Sequence, residues 1–269
     1  MQDVLVGLQN NLASRIAIRY ACQFEKTVRF NMQVIHIPAQ DEKEHPTHGG
    51  WVKQTWESTV ARQSRDWLSE LIRKELVYHH STGEPKIKLG DRDQVILDEL
   101  QQRSYGFFME GLLHAFEPEL FMQKIDSRLY RNAPCPVLMV KNLVTLDRGL
   151  RIVATPETVS SVLSWFSRVL QEFPIDPDMV ICHFEPQGKD FRIIENDQAL
   201  VTGLEARMLG HGKRLGTVTT LKGPSREMAS RLQDHGLVIA PLPEGRSDMA
   251  ALLAMSPCPI LFCPATGTD

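Results

Sequence analysis

The feature that most constrains this chain is a repeat. "NAPCPVLMVKN" at residues 132–142 returns as "MSPCPILFCPA" at 255–265, 123 positions later. In each copy Pro-Cys-Pro stands before a short apolar run. The first proline stops a helix, because it lacks the backbone N–H and biases its predecessor towards extended backbone. The second suits the first residue of a strand or a sheet edge. Each copy therefore reads as the end of a helix and the start of a last strand, closing one of two similar modules. A chain of 269 residues is long enough for two domains that each bury a core.

The segments before each stop support this reading. Residues 3–8 form a short apolar run, as in a buried strand. Leu12, Ile16, Tyr20 and Phe24 then recur at helical spacing over 11–26. A strand is expected over 28–37, a polar loop over 38–50, and a helix over 51–76 with Val52, Trp56, Val60, Trp67, Leu71 and Ile72 on one face. Next come a strand at 86–90, a helix at 91–103 and a strand at 105–110. A helix opened by Pro118 should carry Leu120, Phe121, Ile125 and Leu129, before the strand at 136–140. The second half repeats the order. Strands are expected at 150–154, 178–184, 215–223, 237–242 and 259–263, with an extra short strand at 191–194. Helices are expected from Thr155 and Pro156 through a stripe ending at Phe173, and over 196–209, 224–236 and 247–254. Such alternation predicts an α/β fold of two doubly wound parallel-sheet modules: residues 1–142, a linker at 143–149, and a shortened module at 150–269.

Bulk properties exclude several functions. The net charge of −3 gives no electrostatic case for nucleic acid or an anionic membrane. The apolar runs fall far short of the roughly 20 residues that span a bilayer. The start, "MQDVLVGLQNN", lacks the basic and apolar parts of a secretory leader. Five widely spaced cysteines suggest free thiols in a reducing compartment, so a cytoplasmic protein is expected.

The order of elements, the "VLVGL" opening and "LYRNAPCPVLMVK" resemble the universal stress protein family. The resemblance continues more weakly through "TLKGPSREMASRLQDHGLVIA" and "MSPCPILFC", so the chain resembles a tandem member. It implies a Rossmann-like fold related to adenine-nucleotide-binding proteins, with the modules packed as a pseudo-dimer through strands 136–140 and 259–263. ATP-binding members carry Gly-x-x-Gly, nine residues, then Gly-Ser/Thr after the fourth strand. The glycines let backbone N–H groups approach phosphate oxygens. An Asp after the first strand helps hold the nucleoside. Counting back from "APCP", the three glycine positions hold Glu110, Leu113 and Gln123. Lys124 stands at the Ser/Thr position and Gln9 at that of the Asp, while Gly111 is one place out of register. His114 lies in the same loop, with Glu110 and Glu117 nearby. The second module lacks about eight residues of that loop; Thr155 or Pro156 replaces the Asp, and "PLPEGRSD" offers only Gly245.

These departures predict a non-catalytic stress-response or signalling module without the usual ATP site. No cofactor is predicted. The alternative is a protein that binds AMP, ATP or another small ligand through altered cleft residues. A homodimer or a protein partner is left open. "GHGKRLGT" (210–217) has the glycines and lysine of a phosphate loop in the wrong order, ending a helix rather than opening one. Cys135 and Cys258 lack Cys-x-x-Cys mates and read as buried thiols that approach one another if the last strands pair. The histidines at 45, 48, 79 and 80 lack a metal-ligand framework. Trp51, just after Gly49 and Gly50, reads as core packing, with a cap on a cleft or a partner contact as the alternative.

Overall fold

The computed structural model describes residues 2–38, 51–75, 83–112, 117–170, 173–185, 187–188 and 190–264. The strands are β1 Gln2–Leu8, β2 Phe30–His36, β3 Lys86–Ile87, β4 Phe107–Gly111, β5 Val137–Val140, β6 Leu150–Ala154, β7 Asp178–Phe184, β8 Arg192–Ile194, β9 Val218–Gly223, β10 Leu237–Pro241 and β11 Ile260–Cys263. The helices are α1 Leu12–Thr27, α2 Trp51–Glu75, α3 Arg92–Gln102, α4 Pro118–Ile125, α5 Arg128–Asn132, α6 Val159–Val169, α7 Gln198–Gly210, α8 Ser225–Ala229 and α9 Asp248–Met255.

All strands join one 11-stranded sheet in the order β3-β2-β1-β4-β5-β11-β10-β6-β7-β9-β8. The first five and the next five are mirror-ordered copies, and β8 adds an antiparallel edge beside β9. The halves meet where β5 pairs antiparallel with β11, with Leu138 opposite Leu261. This is the pairing of last strands that the resemblance implied. It covers what would be an open edge on each half. Since β5 and β11 run in opposite directions, the carboxyl ends of the two sets of strands point to opposite sides.

The strands form where apolar runs can be buried on both faces, as parallel sheets require. One core layer joins Phe24, Phe30 and Phe107 to Phe166 and Phe173; the other joins Phe121 and Tyr130 to Phe262 and Leu253. Both layers cross the seam. Phe24 meets Phe173 at 6.1 Å between ring centres, and Phe262 meets Tyr130 edge-on at 5.9 Å. The Tyr20 hydroxyl donates to the Gly236 carbonyl at 2.8 Å.

Both Pro-Cys-Pro segments lie where expected. Ala133 and Ser256 leave α5 and α9 in extended conformation, and Pro136 and Pro259 precede β5 and β11. All five cysteines are free and buried. Burial pushes the Cys135 thiol up to about 12, and Cys258 Sγ contacts the Leu232 carbonyl at 2.9 Å.

Several boundaries differ from the sequence reading. The helix opened by Pro118 breaks at Asp126–Ser127 into α4 and α5, letting Leu129 and Tyr130 turn into the core. The helix expected from Thr155 starts at Val159 instead. Thr158 Oγ1 accepts the Thr155 N–H at 2.9 Å, so the two threonines close a turn before it. Phe173 lies beyond the end of α6, though its ring is buried. The helix expected over 224–236 is only α8 followed by a 3₁₀ turn at Ser230–Leu232. Trp51 is 76% exposed, so it packs in no core. No helix among the described residues is long and apolar enough to cross a membrane.

Lys141, directly after β5, ties the halves together by its charge. Its buried Nζ donates to the carbonyls of Leu253 (2.9 Å), Ala254 (3.0 Å) and Ser256 (2.8 Å). These are carbonyls at the C-terminal end of α9, which a helix leaves without partners and where its dipole favours a cation. The ammonium also lies 4.5 Å from the centre of the Phe121 ring. Burial pushes its pKa down to about 7. Lys141→Met removes the donors and leaves the carbonyls buried. We expect about 2 kcal/mol less stability in urea unfolding, with faster amide exchange at the end of α9.

Candidate functional site

The carboxyl ends of β1 and β2 open into a cleft of 440 Å³. Such strand ends are where open α/β sheets usually bind ligands. Gln9, Asn10 and Asn11 follow β1 and form one wall, His36, Ile37 and Pro38 end β2, and Val60, Gln63, Ser64 and Trp67 descend from α2. Asn11 caps α1, its side chain accepting the Ser14 N–H at 2.9 Å, while its Nδ2 donates to Gln9 Oε1 at 3.2 Å. His36 is buried, with its ring 4.9 Å from that of Trp67. His36 Nδ1 lies 2.8 Å from the Leu8 carbonyl. A carbonyl can only accept, so Nδ1 holds the proton and the neutral ring keeps Nε2 as an acceptor. Burial pushes its pKa down. Among the described residues no Asp, Glu, Lys or Arg lines this cleft. These side chains can recognise a ligand by hydrogen bonds and stacking.

At the end of β4 the charges are already paired. Glu110 is buried, and its carboxylate meets Arg92 of α3 at 2.5 Å and Lys124 of α4 at 2.8 Å. Arg92 also lies 3.5 Å from Asp93, so two cations face two carboxylates. Lys124 stands over the Tyr130 ring at 5.5 Å, and burial with the Glu110 charge pushes that phenol well up. Burial alone would raise the Glu110 pKa; Arg92 and Lys124 more than reverse this, holding it at about 2.

The residues named from sequence separate into distinct roles. Gln9 lines the cleft. Glu110 and Lys124 come together as an ion pair. Gly111 touches the start of α1: a Cβ there would stand 2.1 Å from the Ala13 carbonyl oxygen, so close packing of two elements requires glycine at that position. Gln123 is exposed on α4. Leu113 and His114 lie outside the described residues, as do the four other histidines named. Arg92, Tyr130, His36 and Asn11 went unmarked in the sequence. For Arg92 the available signal was its place in the first turn of a helix capped by Asp91, whose side chain accepts the Gln94 N–H at 2.9 Å.

Two clefts among the described residues lie at the strand ends of the second half. One, of 290 Å³, lies beside Thr155, Thr158, Pro241, Ser247 and Cys263; the other, of 370 Å³, beside Thr155, Glu157, His183, Glu185 and Lys222. Gly245 turns the loop between β10 and α9 with φ +49°. Arg131 of α5 donates to the Pro243 carbonyl at 2.7 Å, holding this loop against the first half. In "GHGKRLGT" Gly212, at φ +71°, follows the end of α7, as a helix stop requires. Among the described residues no cluster of three metal-binding side chains occurs.

Comparison with solved structures assigns this architecture to the universal stress protein fold. Over 98% of this chain and 96% of the other, it is similar to a universal stress protein from Archaeoglobus fulgidus, with TM-score 0.67 and 12% identity. A universal-stress-type protein from Pseudomonas aeruginosa UCBPP-PA14 gives TM-score 0.57 and 16% identity, covering 98% of this chain and 93% of that one. A functionally unknown protein from Pseudomonas aeruginosa PAO1 gives 0.56 and 16%, covering 98% and 92%. At such identities the likeness establishes the fold. No family model and no curated protein sequence matches the chain.

Two outcomes follow. The Glu110 carboxyl titrates from an ordinary value near 4.5 when unfolded to about 2 when folded. Its contribution is complete above about pH 4.5 and is lost as pH falls through 2, because the unfolded chain then binds more protons. Glu99, held by Lys86, Lys88 and Tyr105, titrates in the same window. Glu110→Gln should therefore flatten, without abolishing, the fall in urea-unfolding stability between pH 4.5 and 2. At neutral pH it should cost about 3 kcal/mol. Gly111→Ala should cost about 2 kcal/mol or more in the same assay, as the β4 end and α1 move apart.

Proposed function

We propose that this chain is a tandem universal stress protein acting in the cytoplasm as a non-catalytic stress-response or signalling module. The modules would be residues 1–142 and 150–269, joined by 143–149. The carrying observation is Glu110. Its buried carboxylate sits at the end of β4 and, with Asp93, neutralises Arg92 and Lys124 there. A triphosphate at this point would meet a buried carboxylate and, among the described residues, cations that are already paired, so ATP would not bind in the family's usual way. The fold would then serve to present surfaces, with the fused sheet as the rigid frame.

A second reading is favoured by the cleft of 440 Å³ beside Gln9. Its amides, His36 and Trp67 match a small uncharged ligand with hydrogen-bonding edges and a flat face. AMP or another nucleotide could enter only if its phosphate stayed in solvent.

Calorimetric titration of the full chain with ATP, AMP and adenosine separates the readings. No saturable ATP binding below about 1 mM is expected. Micromolar ATP binding would sink the first reading. Adenosine binding that is lost in Gln9→Ala would favour the second.

A further inference from the structure

A separate cleft of 420 Å³ opens at the seam, at the end of β1 opposite Gln9. The first half lines it with Gln2, Asp3, Tyr105, Gly106 and Cys135; the second half contributes Trp165 and Arg168 from α6. It therefore exists only because the two halves meet. Gln2 Nε2 donates to the Val169 carbonyl at 2.8 Å and ties the walls together. A Cβ on Gly106 would stand 2.3 Å from Gln2 Oε1, so glycine leaves the space that Gln2 crosses.

The polar groups lining this cleft are mostly engaged. Asp3 accepts from Arg103 at 2.6 Å and from Asn31 at 3.1 Å. The Tyr105 hydroxyl donates to Glu99 at 2.7 Å. Cys135 is buried, and its thiol stays neutral. Trp165 Nε1 donates to the Pro264 carbonyl at 3.1 Å, which fixes the indole. The Arg168 guanidinium stacks on that indole at 4.7 Å, and among the described residues no carboxylate pairs with it. A stacked guanidinium keeps its N–H edge for a forked pair of bonds to a carboxylate. The volume lies within the range of small-molecule sites, roughly 300–1,000 Å³.

We propose that the seam cleft binds a small planar organic anion, with its carboxylate on the N–H edge of Arg168 and its body in the cleft beside the edge of Trp165. An occupant touching both halves stabilises their junction by mass action. This site is independent of the strand-end clefts and of whether they bind nucleotide.

The test uses 1-naphthoate and its neutral counterpart 1-naphthamide, titrated calorimetrically into the full chain. Naphthoate should bind saturably with a Kd below about 1 mM and raise the melting temperature, and naphthamide should bind about tenfold more weakly. Arg168→Gln, an exposed change, should weaken naphthoate by about tenfold and leave the ligand-free melting temperature unchanged. Gln9→Ala should leave naphthoate binding intact. No saturation up to about 5 mM, equal binding of acid and amide, unchanged affinity in Arg168→Gln, or loss in Gln9→Ala would each overturn the proposal.

Discussion

The antiparallel pairing of β5 with β11 is the constraint on which the rest of this structure depends. Two parallel half-sheets, each with an exposed edge, would offer templates for unwanted strand addition. Joining those edges removes both and makes one continuous sheet. The core follows the sheet, since both hydrophobic layers run across the junction. Lys141 adds a directional element, an ammonium from one half capping a helix of the other. A buried cation is costly unless its donors are satisfied, and here three carbonyls satisfy all three. The halves are thus bound by backbone ladder, by packing and by a polar contact with strict geometry.

Electrostatics separates the two ends of the first half's ligand edge. The cleft beside β1 and β2 holds amides, an imidazole and an indole, with no fixed charge among the described residues. A few residues away, the end of β4 is dense with charge, yet Arg92, Lys124, Glu110 and Asp93 cancel one another. Among the described residues neither region offers an uncompensated positive charge to a polyanion. The contrast comes from which side chain ends a strand. A glycine there would present backbone N–H groups, whereas a glutamate brings its own anion and recruits the local cations.

Much of the architecture is legible in the sequence because burial on both faces of a parallel sheet leaves contiguous apolar runs. "DVLVGL", "PVLMV" and "PILFC" could be little else, and the two Pro-Cys-Pro segments mark where the last helices stop. Boundaries were less legible where a local hydrogen bond competes with periodicity. The turn closed by Thr155 and Thr158 delays α6, and the break at Asp126–Ser127 lets Tyr130 reach the core. The site was half legible. Glu110 and Lys124 stand out as departures from a glycine motif, but their pairing is set by the packing of α4 on the end of β4, and Arg92 arrives from a third element. Trp51 stands at the first residue of its helix and outside the apolar stripe, and it is exposed.

Covalent fusion has a further consequence at the seam. In a symmetric pair of identical chains, every residue on the two-fold interface faces its own copy or appears twice. A lysine after the last strand would then supply two buried ammonium groups, and each would have to find a helix end. Here Lys141 follows β5, while Pro264 occupies the corresponding place after β11. The junction is therefore chemically polar, with a donor on one side and acceptors on the other. Joining two copies in one polypeptide frees each from the other's sequence, so a contact that symmetry would duplicate can be made once.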